Sequence, residues 1–376
     1  MLPRFYQNLN DYLKPNKALI IYGPRQSGKT TLLNEFLKNT GLKYKLDSGD
    51  NIKTQEILSS EDFEKITAYV SDYELIAIDE AQKVPKIGHG LKIIVDQIPN
   101  IKIIATGSSS FELSGQVGEP LTGRKKTLTL FPVSQIEFKK KYNIHELKEK
   151  MLSWLTFGSY PRVETAESKK EKTIILEEIA NSYLFKDILE LEKIKSPKFL
   201  IDLLRLLAFQ IGSEVSLSEL AAKLGIDYKT VGRYLDLLAK TFVIFNIRGF
   251  SRNLRKEITK KSKYYFYDLG IRNAVINNFN ELNLRDDEGK LWENFLASER
   301  IKTQSYKEIF SNNYFWRTWD QEEIDWIEER EGKIFAFEFK FSLNKKTKNI
   351  KSFLKNYPNA EIKTITPENY LEFLEV

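Results

Sequence analysis

One string in this chain has both the residue types and the spacing for phosphate chemistry. GPRQSGKT at Gly23–Thr30 fits G-x-x-x-x-G-K-[ST]. Glycines let backbone N–H groups close on an anion, and the following lysine and hydroxyl residue add a cation and an oxygen ligand. The string predicts a nucleotide cradle made of Gly23, Pro24, Arg25, Gln26, Ser27, Gly28, Lys29, Thr30 and Thr31. Lys29 is expected to reach the β and γ phosphates of ATP, and Thr30 to ligate Mg²⁺.

Such a loop works only between a strand and a helix, because the helix N-terminus adds its positive dipole end. The apolar run Ala18–Tyr22 reads as that strand and TTLLNEFLKN as that helix. A second strand, LIAID at 75–79, ends in two acids. Asp79 is expected to hold Mg²⁺ and Glu80 to polarise the attacking water. A third, KIIATGSSS at 102–110, ends in small polar residues, of which Thr106 and Ser108 are candidate γ-phosphate sensors. Arg124 in LTGRKKTL and Arg162 in GSYPRV are candidate arginines for the transferring phosphoryl group, supplied within the chain or by a neighbouring subunit. A Gly- and Ser-rich strand-end turn and two surface arginines satisfy the same strings.

A chain of 376 residues exceeds one ordinary core. Strands alternate with helices over residues 1–130, which predicts an α/β, P-loop NTPase parallel-sheet domain. Residues 131–261 are mainly helical, and residues 262–376 mix helices with aromatic, β-branched strands. The Lys- and Glu-rich helix at 131–150 reads as a solvated linker. There is no cysteine, and His89 and His145 are the only histidines, which excludes disulfides and thiolate or histidine-rich metal sites. No apolar run approaches the ~20 residues of a membrane span, and the N-terminus lacks a signal-peptide core, so a cytoplasmic protein without a membrane partner is expected. The net charge of +6 permits nucleic-acid contact without requiring it.

Within the middle block, SLSELAAKLG, capped by Ser216 or Ser218, and DYKTVGRYLDLLAKT, opened by Asp227, have helix-turn-helix spacing. FVIFNIRGF and RNLRKEITKKSK read as a wing. As a reader of double-stranded DNA this module would use Tyr228, Lys229, Thr230 and Arg233, with Arg252, Arg255, Lys260 and Lys261 on phosphates. A packing or protein-contact role fits the same pattern. Further on, LWENFLASERI reads as an amphipathic helix carrying Glu293. EIDWIEE and KIFAFEFKFS read as a hairpin bringing Asp325 towards Glu338 and Lys340, which are two apart and leave one face. That is the layout of a metal-dependent nuclease core, with Glu293, Asp325 and Glu338 on the metal and Lys340 a non-ligand beside the water. A charged one-sided sheet is the plainer reading.

The strings GPRQSGKTTLL, IDEAQKVP, TGSSSFEL, LTGRKKTLTLFP, GSYPRV, YFYDLGIRNA, LWENF and EIDWIEE…AFEFK together resemble the prokaryotic AAA-type ATPases that carry a C-terminal domain of unknown function. The resemblance runs nearly end to end. It implies an AAA-like ATPase domain, a helical lid with a winged helix, and a C-terminal α/β domain similar to restriction endonucleases. The expected activity is therefore ATP hydrolysis directed at DNA. The alternative is a nucleotide-dependent switch for a protein partner, with an inactive nuclease fold as docking surface. A homo-oligomer fits either.

Overall fold

A strand with no polar side chain has no face to give to water. Ala18–Tyr22 (β1) is such a strand, and all five residues are buried. It lies inside a parallel sheet with β2 (Tyr44–Ser48), β3 (Leu75–Asp79), β4 (Lys102–Thr106) and β5 (Lys125–Thr129), in the order β2-β3-β4-β1-β5. Every pairing is parallel, so all five carboxyl ends open on one side. The chain leaves β1 through the helix Lys29–Asn39 to the far edge strand β2, and β3 and β4 then fill the gap. The switch point beside β1 is where α/β sheets of this kind bind ligands. Ile20, Ile76, Ile78, Leu91, Ile94 and Ile103 form the core beneath it.

The computed structural model describes residues 2–107, 120–181, 197–251, 262–318, 322–342 and 351–375. Ser108 and the four basic wing candidates Arg252, Arg255, Lys260 and Lys261 lie outside the described residues. The chain divides into two compact units. One holds residues 3–132 with Lys240–Phe242, and the other holds the remainder from 133 onward. No helix among the described residues is long and apolar enough to cross a membrane.

In the second unit the stretch expected to be a solvated linker is core. Its helices are Gln135–Phe138 and Ile144–Phe157. Phe138 stacks on Trp154 at 4.7 Å, and Leu147 and Met151 are buried. Apart from the buried Glu137, which accepts from Ser134 N at 2.7 Å, the lysines and glutamates stay at least partly exposed, and that mixture masked the apolar stripe. The pair Leu217–Leu224 and Tyr228–Lys240 follows, turned by Gly225 at φ 66. Asp227 opens the second helix by accepting from Thr230 N at 2.9 Å and Thr230 Oγ1 at 2.6 Å.

Among the described residues the second sheet has seven strands: β6 (Glu214–Val215), β7 (Ile244–Gly249), β8 (Ser262–Phe266), β9 (Asn312–Arg317), β10 (Glu323–Arg330), β11 (Lys333–Phe339) and β12 (Glu361–Ile365). Their order is β12-β11-β10-β9-β7-β8-β6. The join is the parallel pair β7/β9, with Arg248 opposite Tyr314 and Gly249 opposite Phe315. Residues from 131–261 and from 262–376 thus share one sheet. The helix Glu288–Tyr306 against it is not amphipathic: Trp292, Asn294, Glu299, Arg300 and Thr303 are all buried. Two of its polar side chains are satisfied internally, with Arg300 on both Glu328 oxygens at 2.6 and 2.8 Å and Asn294 on Phe266 N and O at 2.7 and 2.8 Å.

Candidate functional site

The phosphate-type loop sits at the carboxyl end of β1. Gly23 is required by packing, since a Cβ there would lie 2.0 Å from Leu130 O. Gln26 and Gly28 take left-handed backbone at φ 62 and 98, and Gly28 caps the helix that starts at Lys29. Lys29 is buried, and its Nζ donates to Gly23 O at 2.9 Å and Pro24 O at 2.8 Å. Burial pushes its ammonium down to about 8, although Glu80 and Asp79 pull the other way. Ser27 Oγ is fully buried with no hydrogen-bond partner among the described residues, so the loop holds a spare polar group of the kind an oxyanion uses.

The loop is tied to the acidic strand end by a chain of short contacts. Thr30 Oγ1 donates to Asp79 Oδ2 at 2.8 Å. Thr106 Oγ1 donates to the other Asp79 oxygen and accepts from Glu80 N at 3.1 Å. Glu80 has left-handed backbone, φ 53, uncommon for a residue with a Cβ, and its carboxylate accepts from Gln82 Nε2 at 2.6 Å. Lys29, Thr30, Asp79, Glu80 and Thr106 therefore come together. The Thr30 hydroxyl beside the Asp79 carboxylate is an oxygen pair suited to Mg²⁺, which takes one or two carboxylates and leaves its other positions to water and phosphate.

Three contributors carried no recognised signal in the sequence. Arg4 is buried and donates to Ser27 O at 2.7 Å and Phe131 O at 2.6 Å, bracing the loop from a segment without a motif. Gly49 N donates to Asp79 O at 2.7 Å, and a Cβ on Gly49 would lie 2.2 Å from Glu80 O. Gln82 stood in the quoted IDEAQ string, but only its contact gives it a role.

Arg124 stands at the opposite end of the parallel sheet from the loop. Arg124 precedes β5, where its carbonyl accepts from Ala18 N at 2.9 Å and its Nε from Asp96 is 2.6 Å. That is the amino end of the sheet, about 15 Å of strand from the loop, so Arg124 does not reach that loop within its own chain. Arg162 belongs to the second unit and pairs with Glu178 at 3.2 Å.

The expected nuclease group assembles only in part. Glu293, Glu323, Asp325, Arg317, Lys290 and Lys340 line a cavity of about 340 Å³ in the second unit, and Glu338 is not among its lining residues. A register shift explains this. Ile324 and Ile327 pack into the same small core, although three residues apart, because β10 is irregular between them. That irregularity turns Asp325 towards Glu293, whereas Glu338 alternates from Ala336 on the face of that small core. Burial, with Glu293 adding to it, pushes the Asp325 carboxyl up to about 7. The recognition residues are split as well: Tyr228, Lys229 and Arg233 are exposed, whereas Thr230 is engaged by Asp227.

Residues 15–139 match the family described as AAA domain. Residues 148–282 match Domain of unknown function (DUF8612), and residues 288–370 match Domain of unknown function (DUF4143). Among curated proteins, an uncharacterized protein of Haemophilus influenzae is 25% identical over 390 residues, covering 97% of this chain and 93% of its own. Uncharacterized protein MJ1544 of Methanocaldococcus jannaschii is 25% identical over 383 residues, covering 94% and 83%. Uncharacterized protein Rv2008c of Mycobacterium tuberculosis is 24% identical over 328 residues, covering 86% and 70%. Among solved structures, the Walker-type ATPase PABY2304 of Pyrococcus abyssi aligns at TM-score 0.46 and 18% identity, covering 69% of this chain and 91% of that one.

Proposed function

We propose that this protein binds ATP with Mg²⁺ and hydrolyses it at the carboxyl end of the parallel sheet. The observation that carries the reading is the contact chain Thr30–Asp79–Thr106–Glu80 beside a buried Lys29. Lys29 would exchange its carbonyl partners for β and γ phosphate oxygens, which suit a buried ammonium better. The N–H groups of the loop and helix start add to that attraction. Thr30 and Asp79 would hold Mg²⁺, whose charge neutralises the phosphate oxygens. Glu80 would accept a proton from water as that water's oxygen bonds to the γ phosphorus and the bond to the β–γ bridging oxygen breaks. Gln82 and the Thr106 contact fix where the Glu80 carboxylate stands.

The partner we infer is double-stranded DNA, read by Tyr228, Lys229 and Arg233 on the exposed start of the second helix of the pair. Arg124, at the far end of the sheet, could meet a γ phosphate only in a neighbouring subunit, which makes a homo-oligomer part of this reading. The test is turnover with and without duplex DNA. Glu80→Gln should keep ATP affinity within a few-fold and lose turnover by about 100-fold or more. Normal hydrolysis by that variant would sink the mechanism. DNA affinity that does not fall with salt would transfer the role to a protein partner.

A further inference from the structure

We propose that Lys263, buried behind the wall of the cavity in the second unit, is the standing cation of the carboxylates Glu293 and Glu323 that line it, and that this site takes no divalent metal. A restriction-endonuclease-like domain would place a divalent ion among Glu293, Asp325 and Glu338. The donors found there do not suit it. Lys263 Nζ lies 2.9 Å from Glu293 Oε1 and 2.8 Å from Glu323 Oε1. Tyr265 Oη donates to the same Glu293 oxygen at 2.7 Å. Asp325 Oδ2 accepts from Phe339 N at 2.7 Å. Glu338, the third expected ligand, does not line the cavity. Among the described residues, no group of three or more His, Cys, Asp or Glu is placed to hold a metal ion.

The lysine is fixed where a metal would compete with it. Its backbone stands in β8, with β7 on one side and β6 on the other, opposite Ile247 and Glu214. Its side chain is 1% exposed, with the ammonium 5.3 Å from the Phe315 ring centre. Mg²⁺ needs near-octahedral oxygens at about 2.0–2.1 Å and gives up its water reluctantly. Placing it beside a buried ammonium would set like charges together where little solvent screens them. Burial alone would lower the Lys263 pKa, but Glu293, Glu323 and Asp325 together outweigh it and hold the group charged. The partners come from the helix Glu288–Tyr306 and from β10, so one ammonium joins three elements. Lys290, Arg317 and Lys340 also line the cavity, and Arg317 pairs with Glu214 at 3.5 Å.

Mn²⁺ titration of the nucleotide-free full chain, with free ion counted by electron paramagnetic resonance, tests this. The P-loop contribution is common to every variant. Wild type and Asp325→Asn should bind the same number of Mn²⁺ ions with the same affinity. Lys263→Met leaves three carboxylates without their cation and should gain one Mn²⁺, lost again in the double variant with Asp325→Asn. An ion bound by wild type and lost in Asp325→Asn would overturn the proposal. So would a folded Lys263→Met with no gain. If Lys263→Met does not fold, the comparison of wild type with Asp325→Asn decides alone.

Discussion

Raising the pH from 8 to 9.5 should weaken nucleotide binding. With no nucleotide bound, the buried Lys29 ammonium has its pKa lowered to about 8. Phosphate oxygens hold the same group charged, so binding recruits a proton wherever the free protein has lost it. Affinity is therefore full below about 8 and falls as pH rises through that value. Phosphates themselves finish ionising near pH 6, outside this window. The protonated fraction goes from about one half to about one thirtieth, a loss of roughly 16-fold, or about 1.6 kcal/mol. Calorimetry with ADP in two buffers of different ionisation heat should also show uptake of about half a proton at pH 8. Lys29→Arg, which cannot lose its proton, should bind without this pH dependence at whatever affinity its shape allows. Flat wild-type affinity from pH 8 to 9.5, with no proton uptake, would refute the reasoning.

Thr106→Val removes the hydroxyl that contacts both Asp79 and the Glu80 N–H. It should cost about 1.5–3 kcal/mol of barrier, or roughly 10- to 150-fold in turnover, with nucleotide affinity changed less. Arg4→Ala leaves Ser27 O and Phe131 O without their charged donor. Urea unfolding of the first unit should show a loss of about 2–4 kcal/mol, and nucleotide affinity should drop with it. Gly49→Ala drives a methyl against Glu80 O, 2.2 Å away. A cost of about 1–3 kcal/mol and slower turnover are expected, checked by thermal melting and phosphate release.

Much of the first unit was legible because its determinants are local. The loop's glycines, its lysine and the apolar strands on either side stand within a few residues of one another, and their chemistry forces strand, turn and helix in that order. Asp79 and Glu80 were legible for the same reason. Arg4 and Gly49 were not, because a buried guanidinium on a distant carbonyl and a close backbone approach have no periodicity to reveal them. In the second unit, the strands around Asp325 showed in aromatic alternation, but the register shift after Ile324 did not. Counting two residues per repeat put Glu338 and Lys340 on one face, but of the two only Lys340 lines the cavity with Asp325. Lys263 was passed over because it ends the basic run RNLRKEITKKSK, and a lysine in such a run reads as solvent-facing. Only the carboxylates gathered from a helix and another strand make its burial tolerable.

The parallel pair β7/β9 sets a timetable for synthesis. Gly249 finds its partner in Phe315, 66 positions later in the chain. At roughly 5–20 residues per second on a ribosome, that edge of β7 waits about 3–13 seconds for its neighbour. During that interval the hairpin presents an open row of amides and carbonyls beside Phe245 and Ile247, the kind of edge that recruits other nascent chains. A chain stopped before Asn312 would keep that edge permanently. Truncations that retain the helix pair but discard the C-terminal strands should therefore accumulate as aggregates, and chaperone demand should concentrate in the second half of translation.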